Sequence, residues 1–187
     1  MSPARLEAFS DGVIAIIITI MVLDLRVLAD PRPVALLKMW PTFLSYFVSY
    51  LLIAIYWVNH HHLFHQSKKV NNRILWSNIV LLFCMSWVPF LTAYMGANRV
   101  NSFAVALYSL VIMLCGLSFL ALRCAIAEQS KDDPLFEVTN RAAFRKNLVA
   151  VLLNGVAIPI AYLSPVVSLG IIFAIAFSYF VPNIWVS

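Results

Sequence analysis

Polar residues at the edge of the first apolar stretch are the most chemically informative feature of the sequence. Ser10 and Asp11 directly precede a long apolar run, and Arg5 lies about a turn and a half upstream if the segment is helical. A carboxylate in an apolar helix is costly to bury, so it is usually paired or functional. The same residues are also suited to capping free amides at a helix start. Residue chemistry alone leaves both interpretations open.

The apolar run that follows has a helical stripe. Ile16, Thr19, Ile20 and Leu23 lie at i, i+3, i+4 and i+7, so a helix places them on one face, and Gly12 extends that face by a turn. In a helix bundle such a stripe is most often core packing. Around a symmetry axis it would instead line a narrow pore, in which apolar rings close the path by dewetting.

A second polar concentration ends the next apolar stretch. His61 and His65 are one helical turn apart, a spacing that metal ligands use. No carboxylate or cysteine follows at a plausible spacing, and a zinc site usually has three protein ligands, so we expect no metal site. Histidines also suit the negative end of a helix dipole. We expect instead that this stretch pairs with Ser10 and Asp11. The candidate partners are Trp57, Asn59 and His60.

Other polar residues in apolar stretches carry weaker signals. Asp24 ends the first stretch, where several copies would form a cation-attracting ring; alternatively it pairs with Arg26 or Arg32 at the interface. Interhelical hydrogen bonds in membranes are commonly made by asparagine and serine. We expect such bonds from Asn78, Ser86 and Asn154.

Composition defines the elements that must position these residues. The 187 residues are 63% hydrophobic and 11% charged, whereas soluble domains carry about 45–50% apolar and about 25% charged residues. A water-soluble surface is excluded, and an all-α integral membrane protein is predicted because helices satisfy their own backbone in lipid. At about 20 residues a span, the chain accommodates six spans in a single domain over residues 1–187.

Hydrophobicity and turn residues set the limits of the predicted spans. Pro89 predicts a kink in the third span, and Ser164-Pro165 predicts a tight turn between the last two. A helix start or turn is expected at Asp132-Asp133-Pro134. The six spans are Phe9–Leu28, Trp40–Phe64, Ile74–Met95, Phe103–Ala127, Asn147–Leu163 and Val166–Val186.

Basic residues orient the chain. With six spans both termini lie on one side, and the flanking segments of that side hold nine Lys or Arg residues against four on the other. The positive-inside rule therefore predicts cytoplasmic termini. The nine are Arg5, Lys68, Lys69, Arg73, Arg123, Lys131, Arg141, Arg145 and Lys146; the four are Arg26, Arg32, Lys38 and Arg99.

The run Arg5-x-x-x-Phe9-Ser10-Asp11-Gly12, followed by an Ile/Thr/Leu-rich helix ending Leu23-Asp24-Leu25, resembles the transmembrane protein 175 family. That family comprises endosomal and lysosomal potassium channels and shorter prokaryotic relatives. The resemblance implies a homotetramer of six-helix subunits in which the first helix lines a central pore.

The same resemblance implies roles for individual residues. The constriction falls on Ile16, five positions after the motif aspartate, with further apolar pore residues at Ile20 and Leu23. The hydroxyl tied to selectivity falls on Thr19. The motif residues Arg5, Ser10 and Asp11 would hold the pore helix in a structural polar network.

Three functions are weighed. The first is a potassium-favouring cation channel in the cell membrane, with permeant potassium, no cofactor and no carbonyl-filter motif such as Thr-Val-Gly-Tyr-Gly. The alternative is a proton- or ion-coupled transporter with Asp11 and His60 as a relay. A histidine-dependent metalloenzyme lacks a third ligand. Because no credible nucleophile–base pair is found, we expect no enzyme.

Overall fold

The computed structural model describes residues 2–25, 30–67, 69–129 and 134–179, with side chains from residue 137 in the last range. Helices account for the regular structure of these residues, which confirms the all-α prediction. Their bounds are α1 Pro3–Leu23, α2 Pro33–Lys38, α3 Trp40–His65, α4 Asn72–Met85, α5 Val88–Ala97, α6 Ser102–Ala127, α7 Pro134–Leu163 and α8 Pro165–Ser178.

Five described stretches are long and apolar enough to cross a bilayer. The sixth predicted span is an apolar helix of 14 residues, α8, and its predicted continuation to Val186 lies outside the described residues. Arg26, Lys68 and Lys131 also lie outside them. The five stretches are Pro3–Leu23, Trp40–His65, Asn72–Ala97, Ser102–Ala127 and Glu137–Leu163.

Proline and asparagine start the helices. Proline occupies one of the first two positions in five helices: α1, α2, α3, α5 and α8. Its fixed φ fits a helix there, and no backbone hydrogen bond is lost because the first N–H groups of a helix have no acceptor within it. Asn71 and Asn101 cap α4 and α6 by accepting from the backbone N–H three residues on. Ser164 caps α8 and makes the predicted tight turn after α7.

The third span is interrupted just before the proline at which a kink was predicted. α4 ends at Met85 and α5 begins at Val88, so the break lies at Ser86 and Trp87, just before Pro89. Proline has no N–H to donate and its ring crowds the preceding turn, so the helix ends before it.

Two helices differ from their predicted limits. α1 begins at Pro3, before the predicted Phe9, which places Arg5 and Glu7 inside the helix. α7 begins at Pro134, at the predicted helix start, and runs through polar residues to Asn147, where the span was expected to begin. Both extensions are polar helix ends that hydropathy does not include in a span.

The helix α6 forms the centre of the packing. It contacts α4, α5, α7 and α8, and buries Tyr108, Cys115 and Phe119 almost completely. A Cβ on Gly116 would meet the Val151 side chain at 2.6 Å, so this glycine sets the close approach of α6 and α7. α1 lies at the edge, with one face against α3, α4 and α5.

Candidate functional site

The two faces of α1 have opposite environments. The buried face carries Leu6, Ser10, Ile14, Ile17 and Met21, each at most 3% exposed, against α3, α4 and α5. This spacing of four, four, three and four residues is that of one helix face. The helix is therefore fixed in rotation about its axis by the packing of the subunit.

The opposite face carries the predicted stripe. Ile16 is 60% exposed, Ile20 45% and Leu23 74%, and Gly12 and Thr19 are exposed beside them. We call Ile16, Thr19, Ile20 and Leu23 the α1 stripe. None of these four packs into the core of its own subunit, so the core-packing interpretation of the stripe does not hold within one chain.

The hydroxyl of the α1 stripe is oriented by the backbone. Thr19 Oγ1 donates to the Ala15 carbonyl at 2.8 Å, the turn below it. With its proton donated to the helix backbone, the oxygen keeps lone pairs that can accept from another group. A ring of such oxygens can accept hydrogen bonds or coordinate a cation.

A chain of buried hydrogen bonds anchors the N-terminal half of α1. Ser10 Oγ donates to the Leu6 carbonyl at 2.9 Å and accepts from Asn78 Nδ2 at 2.9 Å. Asn78 Oδ1 is then the acceptor for His60 Nε2 at 2.8 Å, which makes His60 a donor at that nitrogen. The chain joins α1, α4 and α3. Ser10 and His60 are thus brought together through Asn78, a residue of α4.

Asp11 is not part of this chain of hydrogen bonds and makes its own contact with α3. It is half-buried, and Trp57 Nε1 donates to its Oδ1 at 3.0 Å, which again ties α1 to α3. Arg5 is exposed on α1, with no hydrogen bond or ion pair to Ser10 or Asp11 among the described contacts. Asn59 donates to the Ile55 carbonyl of its own helix at 2.7 Å. Within one subunit, Ser10 of α1 is therefore tied to His60 of α3 through Asn78 of α4, and Asp11 is tied to Trp57 of α3. Arg5 and Asn59 were also predicted to belong to this network, but they make no described contact with it.

Glu7 joins the histidine-rich end of α3 across space. Its Oε1 lies 2.8 Å from His61 Nδ1, and the His61 and His65 rings meet edge to face at 4.4 Å. One donor atom from each of these three residues lies within 4.8 Å of the others. No sequence spacing links Glu7 to His61, since the carboxylate comes from another helix. The missing third donor on which the expectation of no metal rested is thus supplied by α1.

The other end of α1 carries Asp24, which caps the helix and is exposed. Its proposed partner Arg32 instead binds Asp30 through paired nitrogens, with Nη2 2.8 Å from Oδ2. The structure thus pairs Arg32 with Asp30 and not with Asp24, and the other candidate partner, Arg26, lies outside the described residues. The Arg32 guanidinium lowers the pKa of the Asp30 carboxyl.

Interhelical polar contacts follow the expectations only in part. Asn78 bridges helices, but Ser86 donates to the Phe83 carbonyl at the end of α4, and Asn154 donates to the Ala150 carbonyl within α7. A further buried chain, Tyr108 OH, Ser49 Oγ and Thr92 Oγ1, spans α6, α3 and α5 at 2.8 and 2.7 Å. Serine and threonine also bond their own helix, so their residue types alone do not distinguish the two outcomes.

The described pocket between α3, α6, α7 and α8 is small. It holds about 30 Å³, and Tyr56, Asn59, Asn147 and Asn154 are among its lining residues. This volume admits about two water molecules and no substrate. It gives no support to a catalytic site.

Known proteins resemble this chain in sequence, and a solved structure resembles it in fold. A model of the family described as endosomal/lysosomal potassium channel TMEM175 matches residues 5–89. A potassium channel of Chryseobacterium sp. (strain P1-3) is 34% identical over 183 residues, covering 98% of this chain and 95% of that protein. The endosomal/lysosomal proton channel TMEM175 of Gallus gallus is 36% identical over 101 residues, 48% of this chain and 20% of that protein.

The fold is matched as well as the sequence. The crystal structure of a lysosomal potassium-selective channel TMEM175 homolog from Chamaesiphon minutus aligns with a TM-score of 0.81 and 27% identity, over 95% of each chain. Apolar spans packed around a largely hydrophobic core, with an exposed stripe on the first helix, define a polytopic helical membrane protein. The chain belongs to the TMEM175 family. These relatives are named as channels, which gives the coupled-transporter alternative no support.

Proposed function

We propose that this chain forms a homotetrameric, potassium-favouring cation channel in the cell membrane, with both termini cytoplasmic. Its relatives from Chryseobacterium and Chamaesiphon are named potassium channels, and their similarity to this chain extends over nearly its whole length. Conduction is passive, so it requires neither a cofactor nor catalytic residues. The six spans act as one domain over residues 1–187.

One observation carries the assignment of the pore. The α1 stripe is exposed while Ile14, Ile17 and Met21 on the opposite face are buried. Because the packing fixes the rotation of α1, four subunits around an axis would all present the same stripe to it. Rings of Ile16, Ile20 and Leu23 then form an apolar constriction, in which water is unstable and ions pass only when the ring is wetted.

Selectivity in this pore arises without backbone carbonyls. Thr19 supplies the hydroxyl of the α1 stripe, and its oxygen keeps acceptor capacity after donating to the Ala15 carbonyl. Four such oxygens replace part of the hydration shell of a cation, and larger, more weakly hydrated potassium loses its water at lower cost than sodium. Exposed Asp24 at the end of α1 raises the local cation concentration at the pore mouth.

Flux from liposomes tests the proposal. Purified protein is reconstituted with potassium inside and sodium outside, and the reversal potential is recorded without any added substrate. We expect the reversal potential to lie close to the equilibrium potential of potassium and far from that of sodium. The same conductance is expected when the two gradients are inverted. Absence of current until a second solute or a proton gradient is supplied would indicate a coupled transporter.

A further inference from the structure

The cluster Glu7, His61 and His65 lies outside the exposed stripe and is not used in the conduction proposed above. Glu7 comes from the first turns of α1, and the two histidines from the last turns of α3. Glu7 and His61 side chains are 18% and 42% exposed, and His65 is exposed. The donors are therefore reachable from water at this end of the helices.

The donor chemistry selects one class of ion. Two imidazoles and a carboxylate suit zinc and neighbouring transition metals, whereas magnesium and calcium prefer all-oxygen ligands. Tetrahedral zinc with bonds of about 2.0–2.2 Å places its ligand atoms roughly 3.4 Å apart. The donors of the cluster lie within 4.8 Å of one another, and Glu7 and His61 already meet at 2.8 Å. The His65 donor lies within 4.8 Å of the other two on an exposed side chain, so binding would require a modest movement of that side chain.

Neighbouring residues orient the donors. The Trp57 ring stacks on His61, with centroids 6.0 Å apart and an interplanar angle of 21°. The same indole donates to Asp11, one turn along α1 from Glu7. Metal ligands held in this way by surrounding contacts bind more tightly than free side chains.

We propose that Glu7, His61 and His65 bind a divalent transition-metal ion of the zinc type, with water completing the coordination. The ion bridges α1 and α3 and so stabilises the end of the helix that carries the exposed stripe. This inference does not rest on the channel function, because it concerns binding to the folded subunit.

Zinc titration of purified protein without an affinity tag tests the site. We expect saturable heat of binding for ZnCl2, a higher unfolding temperature with zinc, and no such effect of MgCl2. His65→Ala and Glu7→Gln should each weaken zinc binding by at least about tenfold, since even loss of an outer-sphere partner commonly costs 10–100-fold. His65 is exposed, so its replacement leaves the fold intact.

His62→Ala is the matched control. His62 is an exposed histidine at the same helix end but outside the cluster, so its loss should leave the affinity unchanged. Wild-type protein without saturable zinc binding would overturn the proposal. Equal affinity in His65→Ala and wild type, or an equal loss in His62→Ala, would do so too. Because the readout is binding and not current, a non-conducting protein that binds zinc would contradict the channel alone.

Discussion

Thr19 is the polar residue in an otherwise apolar stripe. Ile16, Ile20 and Leu23 surround it on the exposed face, and its hydroxyl proton is given to the Ala15 carbonyl. A threonine facing lipid would gain little from its oxygen, whereas in a pore the oxygen is a cation ligand. A substitution that removes the hydroxyl but keeps the branched shape of the side chain therefore tests what this oxygen contributes to ion selectivity.

Thr19→Val removes the oxygen and keeps the branched shape. We expect conduction to persist and the potassium-to-sodium permeability ratio to fall about fivefold, which corresponds to about 1 kcal/mol of differential interaction. Reversal potentials under potassium and sodium gradients measure the ratio. Thr19→Ser, which retains the hydroxyl, serves as the control and should keep the preference. An unchanged ratio in Thr19→Val would place selectivity elsewhere.

At the scale of the helices, α1 is held in position by polar contacts as well as by apolar packing. The Ser10–Asn78–His60 chain and the Asp11–Trp57 bond tie it to α4 and α3. Hydrogen bonds of this kind have defined geometry, so they fix the height and rotation of α1 and not merely its burial. The orientation of the exposed stripe depends on them.

Asn78→Ala should break this anchor. It leaves the buried His60 Nε2–H without its acceptor, at a cost of about 1–3 kcal/mol, while Ser10 keeps only its bond to the Leu6 carbonyl. We expect a lower unfolding temperature and a lower yield of assembled protein. Asn154→Ala is the control, because Asn154 is also buried but bonds only within α7. Equal losses of unfolding temperature and yield in the two variants would contradict a specific role of Asn78 in anchoring α1.

The limits of the helices were largely predictable because local residues determine them. Pro89 marks the break in the third span, and Ser164 with Pro165 marks the last turn. α2 was not predicted, since it is short and lies between spans. The early start of α1 at Pro3 was also missed, because hydropathy does not distinguish a polar helix end from a loop.

The candidate site was predictable where it depends on one helix and not where it joins several. The α1 stripe follows from helical periodicity, and the structure places it on an exposed face. Pairing partners were not predictable in the same way. Asn78 stands between Ser10 and His60, and Glu7 meets His61, through helix packing that no local spacing encodes. The predicted place of Arg5 in the polar network is not found among the described contacts of one subunit.

At the scale of the whole molecule, the subunit leaves a specific face to be covered. Apolar side chains on other helices are also exposed, among them Leu152 and Val156 of α7, and a bilayer accounts for such residues. The exposed face of α1 differs because the α1 stripe contains a hydroxyl and is flanked by Gly12 and by the Asp24 carboxylate at the end of the helix. A face of that composition suits a water-filled axis better than lipid.

Potassium flux per folded tetramer in Ile16→Ala, compared with Ile17→Ala, tests the central claim most directly. The two isoleucines are adjacent, but Ile16 is 60% exposed and Ile17 is 3% exposed. If α1 lines the pore, Ile16→Ala widens the constriction, so flux per tetramer rises and potassium preference falls. Ile17→Ala should instead leave a cavity that costs about 2–5 kcal/mol and lowers the yield without raising flux per tetramer. Unchanged flux in Ile16→Ala, measured on tetramers of normal mass, would contradict the account.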